Sequence, residues 1–204
     1  MSVRRLDANQ PDSFEFTPEN IEWSKKQMEK YPEGRQASAV IPMLWQAQKQ
    51  EGWVSEPAIE VIADMLGMAK IRVLEVATFY TMFNLSPVGK HFVQLCGTTP
   101  CWLRGADDLK DVCRKHIGDP NTVSDDGQLS WMEVECLGAC SNAPMVQIND
   151  DYYEDLTAEN FAQILEDLRA GREVKPGPQT DRKGSEPLGT LTSLTTPITA
   201  EGAE

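Results

Sequence analysis

Four of the five cysteines in this 204-residue chain fall into two close pairs. Cys96 and Cys101 have four residues between them, and Cys136 and Cys140 have three. Thiolates are soft ligands, and a set of four can hold an iron–sulfur cluster or a zinc ion. The grouping therefore predicts a metal centre made by these four side chains, with an iron–sulfur cluster as the preferred occupant.

Spacing alone leaves other interpretations open. A structural zinc site built from four cysteines usually has C-x2-C spacing, although gaps of two to four residues occur. A thiol–disulfide enzyme normally uses C-x-x-C, which neither pair has. Unliganded buried cysteines would have no reason to form two close pairs. A Rieske-type cluster needs two histidine ligands, and the two histidines, His91 and His116, lie outside both cysteine loops.

Both cysteine pairs are predicted to follow strands. Residues 91–96 are predicted to form a strand that ends on a cysteine. Residues 131–136 alternate between apolar and acidic side chains, as a half-buried strand does. Two neighbouring strand ends would bring the four thiolates together at one edge of a sheet. The small residues Gly97 and Gly138 would let backbone N–H groups approach the sulfurs.

The remaining segments divide the chain into three predicted parts. Residues 1–88 carry apolar side chains at helical spacing in four short segments, which predicts a small helical bundle. Residues 89–171 are predicted to have the order β-α-β-β-β-α, with one helix over 104–117. Residues 172–204 are rich in proline, glycine, serine and threonine, which predicts an extended or disordered tail. The fold class is therefore α+β or α/β.

The charge and the apolar content of the chain argue against two classes of partner, nucleic acids and the membrane interior. Acidic residues outnumber basic ones by 32 to 19, for a net charge of −13, which argues against a nucleic-acid partner. No apolar stretch of about 18 residues occurs, so we expect no direct membrane insertion. The first 20 residues have no apolar run of the secretory type. We expect a reducing compartment, most simply a bacterial cytoplasm.

Three further groups have structural interpretations. Cys113 lies on the apolar face of a predicted helix and is expected to pack in the core. Phe79, Tyr80 and Phe83 form an aromatic cluster, expected in core or interface packing. The acidic run over residues 150–155 is expected to be a solvated turn.

Longer motifs carry a resemblance to a known family. The sequence resembles the 24-kilodalton-type subunit (the E subunit in bacteria) of NADH:quinone oxidoreductase, respiratory complex I, which is a thioredoxin-like [2Fe–2S] ferredoxin. The resemblance covers about residues 14–196. The matching segments are Phe16-Thr-Pro-Glu-Asn20, Tyr31-Pro-Glu-Gly34, Glu75-Val-Ala-Thr-Phe-Tyr-Thr-Met82, Cys96-Gly-Thr-Thr-Pro-Cys101, Glu133-Val-Glu-Cys-Leu-Gly-Ala-Cys140, Asn142-Ala-Pro-Met-Val-Gln-Ile-Asn-Asp150, Lys175-Pro-Gly-Pro178 and Ser185-Glu-Pro187.

The resemblance implies a thioredoxin-like fold for residues 89–171 and one [2Fe–2S] cluster as the cofactor. It implies single-electron exchange with the FMN of a neighbouring NADH-oxidising subunit. The ligands it implies are Cys96, Cys101, Cys136 and Cys140. No glycine-rich dinucleotide motif occurs here, so NADH and FMN are expected to bind the neighbour, and we expect no catalytic residue in this chain.

Location and assembly are implied in the same way. The chain would be a peripheral part of complex I on the cytoplasmic side of the bacterial inner membrane. Related chains occur in NAD-linked hydrogenases and formate dehydrogenases, but the tail, including residues 191–194, favours complex I. The resemblance also implies that the tail wraps the flavin-bearing subunit.

Overall fold

The computed structural model describes residues 4–186 and residue 189, and its contacts divide the chain into two units. One unit comprises the residues up to Phe92 together with Ile117–Trp131. The other comprises Val93–His116 together with the residues from Met132 onward. The domain boundaries expected from sequence, after residues 88 and 171, stay predictions.

Capped helices build most of the first unit, as the sequence predicts. The Thr17 hydroxyl accepts a hydrogen bond from the Asn20 N–H at 3.3 Å, and the Ser55 hydroxyl accepts one from the Ala58 N–H at 3.3 Å. Such side chains satisfy backbone donors that a helix leaves free at its start. The four helices are α1 (Pro18–Met28), α2 (Val40–Glu51), α3 (Glu56–Leu66) and α4 (Lys70–Phe79).

Apolar faces of these helices form one core. Leu44 on α2 and Ile59 and Ile62 on α3 are completely buried. Phe83, which follows α4, is also completely buried and packs edge-to-face on Trp45, with 5.9 Å between ring centroids. Burying each large apolar side chain stabilises the fold by about 1.5–3 kcal/mol, so this shared core is the main contact that holds the short helices together.

The sequence places Ile71, Leu74, Thr78 and Met82 at helical spacing, but helix α4 ends at Phe79, three residues before Met82. Tyr80 takes an extended backbone conformation, which breaks the helix. The guanidinium of Arg4 donates to the carbonyl oxygens of Ala77 and Thr78, both at 3.3 Å, and of Tyr80 at 2.8 Å. A cation at this end of a helix is favoured by the helix dipole, so the N-terminal segment caps α4.

A five-stranded sheet has the order β2-β1-β3-β4-β5. Strand β1 pairs antiparallel with β3, with Val93 opposite Ile148, and β3 pairs antiparallel with β4. Strand β5 pairs parallel with β4. The strands are β1 (His91–Cys96), β2 (Leu129–Val134), β3 (Val146–Ile148), β4 (Asp151–Glu154) and β5 (Gly177–Pro178).

Three helices accompany the sheet: α5 (Thr99–Leu103), α6 (Ala106–His116) and α7 (Ala158–Arg169). The single helix predicted over residues 104–117 begins at Ala106, and α5 precedes it as a separate short helix. Thr157 caps α7 through a reciprocal pair of hydrogen bonds with Asn160. Within the described residues, no helix combines the length and the apolar composition needed to cross a membrane.

The first part of the predicted tail lies along the sheet. Residues 177–178 form β5, and the Gln179 N–H donates to the Glu154 carbonyl oxygen at 2.9 Å. This extended segment is held by backbone pairing, which sequence composition does not reveal. The later part of the predicted tail, residues 190–204 with the 191–194 motif, lies outside the described residues, as do Pro187 and Leu188.

Candidate iron–sulfur site

The first cysteine pair lies where β1 leads into α5. Cys96 is the last residue of β1, and Cys101 lies within α5, where the sequence had predicted a loop. Both side chains are buried. Thr98, which precedes α5, places its hydroxyl oxygen 3.3 Å from the Cys96 Sγ. The short helix turns the chain back, so that two cysteines five positions apart approach one another.

The second pair lies in the segment after β2. Cys136 is two residues beyond the strand, and Cys140 begins a 3-10 turn, Cys140–Asn142. Their Sγ atoms are 3.4 Å apart, and both residues are exposed. Gly138 has a φ of +86°, a conformation that favours glycine. Its N–H donates to the Cys136 Sγ at 3.4 Å, as the sequence predicts for a small residue here.

The two thiols of the buried pair differ in acidity. Burial opposes ionisation of Cys96, but hydrogen bonds from the Thr98 hydroxyl and from the backbone at Thr98 and Leu137 outweigh it and lower the pKa of Cys96. Burial, reinforced by the hydrogen bond with Cys96, raises the pKa of Cys101 to about 12. In the metal-free chain, Cys96 is therefore the readier thiolate and Cys101 its proton-bearing partner.

The exposed pair shows the same division. The hydrogen bond from the Gly138 N–H, followed by that with Cys140, lowers the pKa of Cys136. The hydrogen bond with Cys136 raises the pKa of Cys140. In each pair one sulfur is thus stabilised as the anion and the other keeps the proton, because two thiolates in contact repel one another.

Contacts between the two cysteine loops bring the two pairs close to each other. The backbone at Leu137, in the second cysteine loop, hydrogen-bonds to Cys96 in the first. The Thr98 hydroxyl also interacts with Cys136, and the charge of Cys140 acts on Cys101. The Tyr152 hydroxyl donates to the Leu137 carbonyl oxygen at 2.8 Å and so fixes this loop.

The donor set fits a two-iron cluster. Four thiols and several backbone hydrogen bonds to sulfur are the ligands and the surroundings that iron–sulfur clusters use, and the sulfurs come together in twos, as two iron atoms require. In residues 4–186 and 189, no three His, Cys, Asp or Glu side chains are gathered around one metal position, so the cysteines stand as two separate pairs of donors. The ligands proposed for the cluster are Cys96, Cys101, Cys136 and Cys140.

An ion-pair network adjoins the cysteine loops. The Lys110 Nζ lies 2.9 Å from Glu133 Oε1 and 3.1 Å from Asp107 Oδ1, and its side chain is 14% exposed. Asp107 also accepts a hydrogen bond from the Trp102 indole N–H at 2.9 Å. A Cβ on Gly97 would overlap the Glu133 carboxylate. Lys110 therefore links α6 to the edge strand β2 beside both cysteine pairs.

The other residues singled out from the sequence lie outside the cysteine site. Cys113 is completely buried on α6, and burial raises its pKa to about 12, so it packs as a small apolar side chain. The aromatic cluster divides: Phe83 is in the core, whereas Phe79 and Tyr80 are exposed and pack edge-to-face on each other. Burial lowers the pKa of His91, which opens β1.

The acidic run was predicted to be a solvated turn, and this prediction is wrong for its last two residues. Glu154 and Asp155 are 3% and 8% exposed. Arg182, 27 residues away, lies 2.6 Å from Asp155 through its Nη1 atom, and the Ser185 N–H donates to Glu154 Oε2 at 3.0 Å. No local pattern marks such distant partners, so sequence reasoning missed Arg182 and Asp155.

A protein-family model settles the classification. The model described as thioredoxin-like [2Fe-2S] ferredoxin matches residues 24–169. The chain belongs to the thioredoxin-like [2Fe–2S] ferredoxin family. The match spans both units of the structure, so the family includes helices of the N-terminal bundle as well as the sheet that carries the cysteines. The resemblance found in the sequence is thereby confirmed.

Curated members of this kind are similar over most of the chain. An E subunit of NADH-quinone oxidoreductase from Rhizobium meliloti (strain 1021) is 58% identical over 98% of this chain and 75% of its own length. The E subunit of NADH-quinone oxidoreductase from Rickettsia bellii (strain RML369-C) is 52% identical over 77% of this chain and 95% of its own length. The mitochondrial NADH dehydrogenase [ubiquinone] flavoprotein 2 of Dictyostelium discoideum is 44% identical over 96% of this chain and 81% of its own length.

A solved structure shares the fold. The NAD+-reducing [NiFe]-hydrogenase in the H2-reduced state superposes with a TM-score of 0.58 at 18% identity, over 65% of this chain. Our chain spans 22% of the length of that hydrogenase chain. At this identity the likeness supports the fold alone, and it confirms the mixed helical and sheet architecture predicted from the sequence.

Proposed function

We propose that this chain is the electron-transfer subunit of an NADH–quinone oxidoreductase, with one [2Fe–2S] cluster held by Cys96, Cys101, Cys136 and Cys140. The observation that carries the proposal is the four-cysteine site in a chain that is 58% identical, over 98% of its length, to an E subunit of NADH-quinone oxidoreductase. The oxidoreductase reaction belongs to the whole complex, and this chain contributes a redox centre to it.

The chain's own residues hold and tune the centre. When bound, the cluster supplies one-electron oxidation and reduction. Burial of Cys96 and Cys101 keeps water from one side, while Cys136 and Cys140 face outward. Hydrogen bonds to sulfur from Gly138 and its neighbours favour the thiolate form that a metal needs. A buried side and an open side give electrons a short route to a partner at the surface.

We propose the flavin-bearing, NADH-oxidising subunit as that partner. The family resemblance supports this choice, and so does an exposed apolar pair beside the site: Trp102 and Leu103 are 55% and 71% exposed and directly follow Cys101. Tryptophan is enriched among the residues that dominate binding energy at interfaces. Through this partner the chain would join the peripheral arm on the cytoplasmic side of the bacterial inner membrane.

Absorption and electron paramagnetic resonance (EPR) spectra of the purified full-length chain test the proposal. We expect a brown protein with visible absorption that bleaches on dithionite, about two iron and two sulfide per chain, and an EPR signal in the reduced state. A colourless protein that holds one zinc per chain would establish the alternative structural site and contradict the proposal. Co-purification with the NADH-oxidising subunit tests the choice of partner separately.

A further inference from the structure

A segment far beyond the last cysteine holds the turn that follows Cys140. Arg182 donates from Nη1 to Asp155 Oδ1 at 2.6 Å and from Nη2 to the carbonyl oxygen of Ser141 at 2.8 Å. Ser141 is the residue after Cys140, within the same 3-10 turn. One guanidinium therefore links the C-terminal segment to the backbone next to a candidate ligand.

Asn142 makes a second link between the same parts. Its Nδ2 atom donates to Asp155 Oδ2 and to the carbonyl oxygen of Lys183, both at 2.9 Å. The Asp155 N–H donates in return to the Asn142 carbonyl oxygen at 2.8 Å. Asn142 is 2% exposed, so these bonds are shielded from water and the side chain has no solvent substitute for them.

The segment is itself anchored on strand β4. Residues 177–178 form β5 beside it, and the Ser185 N–H donates to Glu154 Oε2 at 3.0 Å while the Ser185 hydroxyl bonds to the other carboxylate oxygen. Thr180 donates to Asp155 Oδ2 at 3.1 Å. We call residues 177–186 the clamp segment, because they connect the sheet to the Cys140 turn at several points.

We propose that the clamp segment is part of the cluster-holding structure and that Arg182 is a positioning residue for the exposed pair, Cys136 and Cys140. The proposal rests on the proposed function in that Cys140 must be a ligand. A strand carries Cys96, whereas Cys140 lies in a turn of three residues and depends on such links for its position. The carboxylate of Asp155 is buried, and a buried charge that loses its partner is strongly unfavourable, so without Arg182 both Asp155 and the turn would rearrange.

Loosening this turn would change the surroundings of the cluster. Hydrogen bonding to sulfur and solvent exposure set the electronic properties of iron–sulfur centres. The Cys140 side already faces solvent, so any further opening admits water and chelators at this position first. A change confined to the clamp segment should therefore be visible in the spectrum of the cluster, even where the rest of the chain stays folded.

The test compares Arg182→Ala with Lys183→Ala in the full-length, cluster-loaded chain. Lys183→Ala removes the same charge one position away and keeps the carbonyl that Asn142 uses. We expect Arg182→Ala to alter the EPR spectrum of the reduced protein and to speed cluster loss to an iron chelator about tenfold or more, because it removes two hydrogen bonds made by a charged group. Lys183→Ala should match the wild type.

Arg182→Lys supplies a graded check. Lysine keeps the charge beside Asp155, but a single ammonium lacks the planar fork that reaches two acceptors at once, so we expect an intermediate rate of cluster loss. Should Arg182→Ala not fold, the double variant Asp155→Asn with Arg182→Ala leaves no buried charge unpaired and still lacks the link to Ser141. This double variant should also lose its cluster to the chelator about tenfold or more faster than the wild type.

The outcomes separate this proposal from the proposed function. A wild-type chain without [2Fe–2S] absorption would contradict the function and, with it, the role of the clamp segment. A wild-type chain with the cluster, together with Arg182 variants whose EPR spectra and chelation rates equal those of Lys183→Ala, would overturn the role of Arg182 alone. Equal thermal unfolding of all variants by circular dichroism would show that a spectral change is local.

Discussion

The Sγ atoms of Cys136 and Cys140 lie 3.4 Å apart at the surface, and the equivalent pair, Cys96 and Cys101, is buried. Each pair thus offers two sulfur ligands, one pair in the protein interior and the other at the surface. We expect each pair to ligate one iron, so that one iron lies inward and the other outward. A structure of the loaded chain in which Cys96 and Cys136 share an iron would contradict this arrangement.

Replacing any one of the four paired cysteines by alanine should abolish or severely destabilise the cluster, because each thiolate is a metal bond. Cys113→Ala is the matched control: the residue is buried on α6, and its loss should cost about 1 kcal/mol of folding free energy through the small cavity it leaves. Visible absorption of each purified variant shows whether it still holds the cluster. Bleaching by Cys113→Ala together with full colour in a paired-cysteine variant would show that the ligands are assigned wrongly.

The reduction potential should be low. Four thiolates place negative charge around the irons, and all-cysteine plant-type centres lie near about −400 mV, well below those with two histidine ligands. We expect a midpoint on the order of −300 to −450 mV. A redox titration followed by EPR measures it, and a positive midpoint would be incompatible with ligation by cysteine alone.

Stability should fall at alkaline pH, in part through Cys113. Burial raises the pKa of this thiol to about 12 from an ordinary value of 9.0. Below about pH 9 the thiol is protonated in both the folded and the unfolded chain. The free energy of unfolding then does not change with pH through this group. Above that pH the unfolded chain ionises and the folded chain does not, so stability falls by up to about 1.4 kcal/mol per pH unit.

Cys113→Ala should therefore flatten this alkaline decline. Chemical unfolding of the two proteins at about pH 8 and about pH 10 provides the comparison. The variant should be the less stable of the two at the lower pH and should lose less on going to the higher one. Parallel declines in the two proteins would mean that other groups cause the alkaline loss.

Gly97→Ala should displace the Glu133 carboxylate and separate it from Lys110. The added Cβ overlaps the end of a flexible side chain that is half exposed, so Glu133 can swing outward, at a cost of about 1 kcal/mol or less. In a background that already carries Glu133→Ala, the same substitution should cost nothing. A double-mutant cycle by urea unfolding measures the coupling, and purely additive effects would show that the glycine is needed for another reason.

Docking should depend on Trp102. Trp102→Ala should weaken binding to the NADH-oxidising subunit by about 1–3 kcal/mol, roughly 5- to 150-fold in Kd. Trp102→Phe, which keeps an aromatic side chain but loses the hydrogen bond to Asp107, should retain most of the affinity. Titration by calorimetry, with the cluster spectrum of each variant as a check on folding, decides the matter. Unchanged affinity in Trp102→Ala would place the interface elsewhere.

A chain that ends at Glu186 tests the rest of the tail. It keeps the clamp segment, so its cluster spectrum should equal that of the full chain. Its complex with the NADH-oxidising subunit should dissociate faster, because a C-terminal segment that contacts the partner adds binding surface. Dissociation rates from surface-immobilised partner measure this, and identical rates would leave residues 187–204 without a role in docking.

Local patterns predicted much of the structure. Strand β1 spans residues 91–96, as the sequence predicts, and Thr17, Ser55 and Thr157 cap helices as their positions indicate. These features depend on neighbours within four residues along the chain. The cysteine pairs were predictable for the same reason, since both members of each pair fall in one short segment.

Features set by distant partners were not predictable. Helix α5 has five residues, too few to show a helical period, so the sequence alone indicates a loop at Cys101. Strand β5 has two residues and exists because β4 pairs with it. The burial of Asp155 depends on Arg182, and the early end of α4 coincides with contacts from Arg4. In each case the deciding contact comes from another part of the chain.

The clamp segment also has a consequence for the order in which the protein is made. Ribosomes add about 5–20 residues per second, so Arg182 is synthesised about 2–8 s after Cys140. During that interval every cysteine already exists, while the turn that follows Cys140 has no guanidinium to hold it. The bond from Arg182 to the Ser141 carbonyl oxygen therefore forms only after every candidate ligand has been synthesised.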